Sequence, residues 1–259
     1  MDAAEYFVKD GVCPVLGWRT GDVMLFSGRG LVSFGIKART CRPWEFMFRP
    51  CCSHVELVAF TTPRHIDEAR NLKKHPLKIS DARASAVKRK LGIGDWLLYG
   101  STVMAGNMPC EVLGEPIHGM QCHSPEDRIE GYNGRVYHLQ WRDGVNLTHT
   151  EKDRLVIHLL AKLGTPYDFA GAARLVTILA KRVWPHTIYD ESSLFCSEVS
   201  ARRLKHATKD RTTKQGRPPI ITGDPNRWTP QHFCRLATPV WWFQDPGKLA
   251  DLYEVEMEN

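Results

Sequence analysis

Two short phrases far apart in the chain carry the residue types of a thiol nucleophile and its base. They are Ser53-His54-Val55-Glu56 and Phe195-Cys196-Ser197-Glu198. A cysteine attacks a carbonyl as its thiolate. An imidazolium beside it stabilises that thiolate and then serves as general acid toward the leaving group. A helix N-terminus adds unpaired N–H groups and about half a positive charge. Ser192 or Ser193 reads as a helix start, which puts Cys196 in the first turn. His54 opens an apolar run of Val55, Leu57, Val58, Ala59 and Phe60, where an imidazole with no partner is costly to bury. Each residue also has a plain reading. Cysteine is among the most buried residue types, and a single histidine in a strand is more often a satisfied core group.

The elements that must bring the two phrases together follow from apolar spacing. Gly21-Asp22 introduces a strand at Val23-Met24-Leu25-Phe26, and Ser27-Gly28-Arg29-Gly30 breaks it. Leu31, Phe34, Ile36 and Ala38 predict a helix that ends near Cys41-Arg42-Pro43. The His54 strand runs to Pro63, which stops it. Residues 64–92 read as a basic, partly helical insertion at the rim, placed to gate a cleft. Gly94-Asp95 opens a strand at Trp96-Leu97-Leu98-Tyr99, and 105–125 reads as loop with one short strand. Arg135–Trp141 alternates as a half-exposed strand. Thr148-x-x-Glu151 is a capping box before Leu155, Val156, Leu159, Leu160 and Leu163. A second apolar helix is predicted from Phe169 to Val183, and Thr229-Pro230 predicts a helix start. Trp241-Trp242-Phe243 reads as a core plug or lid within a Trp-rich and acidic tail, 236–259.

Four phrases in this order resemble the circularly permuted branch of the NlpC-type papain-like superfamily. They are Gly21-Asp22-Val23-Met24-Leu25-Phe26, Ser53-His54-Val55, Gly164-Thr165-Pro166-Tyr167-Asp168 and Phe195-Cys196-Ser197-Glu198. The YaeF/YiiX-like proteins, related poxvirus proteins and, more distantly, the lecithin:retinol acyltransferases belong to that branch. Ordinary papain-like enzymes have the cysteine helix first. Here it comes last, and Thr229-Pro230-Gln231-His232-Phe233 resembles the helix start that follows it. The resemblance covers roughly 20–60 and 94–235. It implies an α+β fold, a small antiparallel sheet packed on the cysteine helix, within a single domain over 1–259. It implies Cys196 as nucleophile, His54 as base and Tyr167 beside the site. The Tyr167 hydroxyl or backbone N–H groups near Ser197 would hold an oxyanion.

One departure concerns the imidazole's orienting group. Members usually carry a polar residue, often Glu, on the strand after the histidine strand. Here that strand continues Tyr99-Gly100-Ser101-Thr102, with Gly100 at the expected position. Glu56 shares a face with His54. It lies about 6–7 Å along the strand, an awkward span for a direct hydrogen bond. Ser101 and Gln121 are the other candidates, and loss of the acid leaves room for an inactive protein.

Composition bounds the remaining classes. At 259 residues and 42% hydrophobic, the chain is long enough for a sizeable core. No apolar run approaches the ~20 residues that span a bilayer. The start Met1-Asp2-Ala3-Ala4-Glu5-Tyr6 lacks a signal-peptide pattern, so synthesis in a reducing cytoplasm is expected. The eight cysteines are irregularly spaced. Cys41, Cys51, Cys52 and His54, or Cys110, His118, Cys122 and His123, are conceivable metal sets without paired spacing, so buried free thiols are the preferred reading. No metal or organic cofactor is expected.

Residues 63–92 carry nine Lys/Arg against three Asp/Glu, and 201–217 carry seven against one. These segments read first as solvated faces. Net charge +6 without an aromatic-and-basic signature does not make a nucleic-acid protein. Two functions from different classes follow. One is a thiol hydrolase or acyltransferase acting on a peptide, amide or acyl substrate. The other is a decayed scaffold in a virion, a cell wall or a membrane surface, binding an anionic surface through Lys88, Arg89 and Lys90.

Overall fold

The computed structural model describes residues 17–42, 51–102, 108–130, 132–141, 145–168, 196–212, 217, 220–225, 228–237 and 250–254. Six strands are β1 (Val23–Gly28), β2 (His54–Thr61), β3 (Asp95–Thr102), β4 (Gly119–His123), β5 (Gly134–Trp141) and β6 (Ala250–Glu254). They form one sheet in the order β4-β3-β2-β1-β5-β6, every pairing antiparallel. The described helices are α1 (Leu31–Thr40), α2 (Pro63–Arg70), α3 (Asp81–Leu91), α4 (Pro125–Glu130), α5 (His149–Leu160), α6 (Cys196–Ala207) and α7 (Pro230–Ala237). The architecture is α+β.

Period-two alternation divides the strands between two faces. Val23, Leu25, Val55, Leu57, Leu97 and Tyr99 face the larger core with Ile66 of α2, Val87 of α3, Leu155 of α5, Val199 of α6 and Phe233 of α7. Met24, Phe26, Val58, Trp96 and Leu98 face a thinner layer closed by Trp18 and by Ile129 of α4. The sheet is therefore buried on both sides.

The Gly21-Asp22 pair is a stitch between strands. Gly21 sits at φ +99, a left-handed conformation that glycine adopts without strain, and a Cβ there would lie 2.5 Å from Leu147. Its N–H donates to Val58 O, and Asp22 O accepts from Val58 N. The buried Asp22 carboxylate accepts from Arg19 N and from His138 Nε2, both at 2.9 Å. Burial still pushes its pKa upward against those donors.

β2 ends at Thr61, just before Pro63, as expected, and Pro63 also opens α2, with Thr62 as cap. Proline is favoured at the first helical position, so one residue ends a strand and starts a helix. α7 is built alike, on Thr229-Pro230. In both, a histidine at the third position, His65 or His232, accepts from the cap residue's N–H through Nδ1 at 3.1 and 3.0 Å.

The basic stretch 64–92 is not a rim excursion. Its Ile66, Ala69, Leu77, Ala84, Val87 and Leu91 belong to the main core. The expected capping box at Thr148 and Glu151 is present. Glu151 also pairs with Arg211, Oε1 to Nε and Oε2 to Nη2 at 2.8 Å each, tying α5 to the chain beyond α6. Residues 250–254 of the acidic tail form the edge strand β6. The predicted helix 169–183, the cap serines 192–193 and the Trp241–Phe243 segment lie outside the described residues. No described helix is long and apolar enough to cross a membrane.

Candidate active site

Cys196 lies on α6, where description of the chain resumes, and α6 lies across β2 and β3. His54 is the first residue of β2 and pairs with Phe26 across the sheet. The Cys196 sulfur lies near enough to the His54 ring to act on its charge. His54 Nε2 donates to Glu56 Oε1 at 2.8 Å. Burial disfavours the charged ring, but the Cys196 sulfur and then Glu56 outweigh it and raise the His54 pKa to about 9. The His54 side chain is 14% exposed and Cys196 only 1%.

The Glu56 bond overturns the expected awkward span. The Cα atoms of residues two apart on a strand are about 6–7 Å apart. That distance was the wrong measure, because an imidazole and a glutamate side chain each reach several ångströms and here lean toward one another.

The room for Glu56 comes from β3. A Cβ built on Gly100 would lie 2.5 Å from Glu56 Cγ and 3.1 Å from its Cδ. The glycine found where the acid was expected is thus the space that an acid on the neighbouring strand fills.

Glu56 is nearly fully buried, and a buried carboxylate without a counter-charge would protonate. Arg128 of α4 supplies the charge, with Nε and Nη2 each 2.8 Å from Oε1. The Arg128 guanidinium stacks over the Phe26 ring at 4.7 Å and near Tyr132 at 5.5 Å. Against burial, Arg128 and His54 hold the Glu56 carboxyl down at about 2. Oε1 takes all of these bonds, and Oε2 is buried without a protein partner.

Sequence reasoning missed Arg128. The only local sign was Ser124-Pro125, a helix start in which Ser124 Oγ accepts from Asp127 N at 3.1 Å. Nothing in 125–130 marks the arginine as the partner of a residue 72 positions earlier.

The other candidates separate. Tyr167 lies beside Cys196, and burial with the nearby Cys196 and Asp168 charges pushes its phenol pKa far up, so it stays a protonated donor. Its N–H bonds His118 O at 3.2 Å, which seats the Gly164–Asp168 phrase against the start of β4. The Ser197 hydroxyl donates to Trp228 O at 2.7 Å, a bond separate from the backbone N–H groups expected near an oxyanion. Gln121 is bound to its own surroundings. Its amide nitrogen donates to Thr102 O and Ile117 O, and its oxygen accepts from His123 Nε2 at 2.9 Å. Ser101 is buried one residue beyond Gly100, on the opposite sheet face from Glu56.

Of the proposed surface cations, Lys88 pairs with Asp67 at 2.9 Å and Lys90 with Glu111, while Arg89 is exposed. Among the described residues, no group of three or more His, Cys, Asp or Glu side chains is arranged to hold a metal ion. No protein-family model matches the sequence, and comparison with curated proteins finds no match.

Proposed function

We propose that the chain is a thiol hydrolase or acyltransferase of permuted papain-like architecture. In this reading the Cys196 thiolate attacks an amide, ester or thioester carbonyl. The imidazolium of His54 protonates the leaving group, and water or a second acceptor then releases the acyl group from sulfur. The observation that carries the reading is one ring with two partners, His54 between Cys196 and Glu56. That is the nucleophile–base–orienter relationship such catalysis requires. Glu56 favours the tautomer and charge state that serve the sulfur, and Arg128 keeps Glu56 ionised. The Tyr167 phenol is the donor for the oxyanion.

Each residue has a single task. Because Cys196 is 1% exposed, acylation requires neighbouring chain to move aside from the sulfur. The alternative of a decayed binding scaffold loses its main motive, since an orienting acid is present. Two of the three surface cations named for that role face acidic partners.

The test is acyl-enzyme trapping. The purified protein is incubated with a small panel of activated esters, thioesters and peptide anilides, and intact and peptide masses are read. The proposal expects one acyl adduct on Cys196 and none in Cys196→Ala. Absence of any Cys196 adduct across the panel, with adducts on other cysteines, would overturn it in favour of a binding scaffold.

A further inference from the structure

A pair of thiols stands outside the proposed catalytic set. The Cys110 and Cys122 sulfurs are 3.6 Å apart, and both residues are fully buried. Cys122 is on β4, beside Tyr99 of β3. Cys110 begins a tight turn closed in both directions. Its N–H donates to Glu115 O at 3.0 Å, and its carbonyl accepts from Gly114 N at 2.7 Å. Glu111 N donates to Cys122 O at 2.9 Å, which holds the turn against the strand.

The turn folds backbone donors onto one sulfur. Cys110 Sγ accepts the N–H of Cys122 at 3.4 Å, and the nearby backbone of Val112 and Leu113 favours its charged form. A neutral thiol is a weak acceptor that has little use for several donors. A thiolate is the species that such a nest stabilises. Two other buried thiols contrast with it: burial pushes Cys41 and Cys52 upward, whereas the Cys122 S–H and the nearby backbone bring Cys110 down to about 7.

We propose that Cys110 and Cys122 form a redox-active dithiol, with Cys110 the attacking sulfur and Cys122 the resolving one. The oxidant is a small peroxide. The Cys110 thiolate attacks one peroxide oxygen, the O–O bond breaks, hydroxide leaves, and Cys110 becomes a sulfenic acid. The Cys122 sulfur then attacks the Cys110 sulfur. The S–O bond breaks, the hydroxyl leaves as water with the Cys122 proton, and a disulfide remains. Two electrons pass from the two thiols to one peroxide. Closing the bond draws the sulfurs from 3.6 Å to about 2.05 Å.

Both sulfurs are buried, so the reaction requires the turn to open at its exposed residues Gly114, Glu115 and Pro116. The product staples this turn to β4. The chemistry is separate from that of Cys196, so its test stands whatever becomes of the proposed hydrolase.

The full-length reduced protein is treated with hydrogen peroxide at low molar excess. It is then denatured in N-ethylmaleimide, digested without reductant and mapped. The expected product is a Cys110–Cys122 linked peptide that forms at least tenfold faster than any other cysteine linkage and is reversed by dithiothreitol. In Cys122→Ser, dimedone added with the peroxide is expected to label Cys110. The proposal is overturned if both cysteines return as maleimide adducts at peroxide doses that oxidise other cysteines. It is equally overturned if dimedone leaves Cys110 unlabelled in a folded Cys122→Ser protein. Should that variant not fold, the wild-type map alone decides.

Discussion

Glu56 and Gly100 are complementary across β2 and β3. The glutamate side chain fills the volume that a side chain at position 100 would take, 2.5 Å from a Cβ built there. They stand opposite one another, one step beyond the Leu57–Tyr99 pair in the register. The carboxylate that orients His54 has thus a second possible origin, the neighbouring strand, and only one of the two positions can carry a side chain.

Gly100→Ala is expected to displace Glu56 and lower acylation of Cys196 by about 10²-fold, the scale of a lost acid–base contribution. The exchange Glu56→Gly with Gly100→Glu puts a carboxylate back into the same volume from β3. It is expected to recover part of that loss. Stopped-flow acylation of the three proteins checks this, with circular dichroism to establish folding. A Gly100→Ala protein as fast as wild type would contradict the complementarity.

Arg128→Met removes one of the two charge partners of the buried Glu56. Removing one member of a buried ion pair is destabilising by about 3–5 kcal/mol. Because the two residues act through one contact, Glu56→Gln with Arg128→Met is expected to cost clearly less than the sum of the singles. Urea unfolding of the four proteins measures the coupling, and strict additivity would refute it.

Stability should depend on pH at both ends of this network. His54 holds its proton to about 9 when folded, against an ordinary 6.5. Its contribution is complete below 6.5 and is lost as pH rises through 9. Glu56 titrates at about 2 when folded, against an ordinary 4.5. Its contribution is complete above 4.5 and is lost as pH falls through 2. The stability gap between wild type and His54→Gln is therefore expected to shrink in alkali. The gap to Glu56→Gln is expected to shrink in acid. Unfolding midpoints across the pH range test this, and pH-independent gaps would contradict it.

Tyr167→Phe separates oxyanion stabilisation from nucleophile activation. Loss of one oxyanion donor lowers turnover by about 10²–10³-fold. Alkylation of Cys196, which develops no oxyanion, is expected to stay within about twofold of wild type, on the scale of a displaced neighbour. An equal fall in both rates would place Tyr167 in packing alone.

Much of the frame was legible because its signals are local. The apolar runs behind β1 and β2, the Thr148–Glu151 capping box and the Thr229-Pro230 helix start each depend on a few adjacent residues. Pro63 was read as one kind of punctuation when it serves two, because a proline that ends a strand is also favoured at the start of a helix. The basic charges of 64–92 drew attention from the apolar positions Ile66, Ala69, Ala84 and Val87 that carry its two helices into the core. The site's supporting residues were illegible for a different reason. Glu56 meets Gly100 through strand register, and Arg128 meets Glu56 through the docking of a six-residue helix. Neither relationship leaves a mark on the spacing of residues along the chain.

The central claim is that His54 activates the Cys196 sulfur. It is tested most directly by the rate of iodoacetamide alkylation at Cys196, followed by peptide mass between pH 5 and 10. The predicted result is a reaction at pH 6 at least tenfold faster than at Cys41, Cys51, Cys52 or Cys234, lost in His54→Ala. A Cys196 that reacts no faster than those thiols, or that is indifferent to the loss of His54, would contradict it.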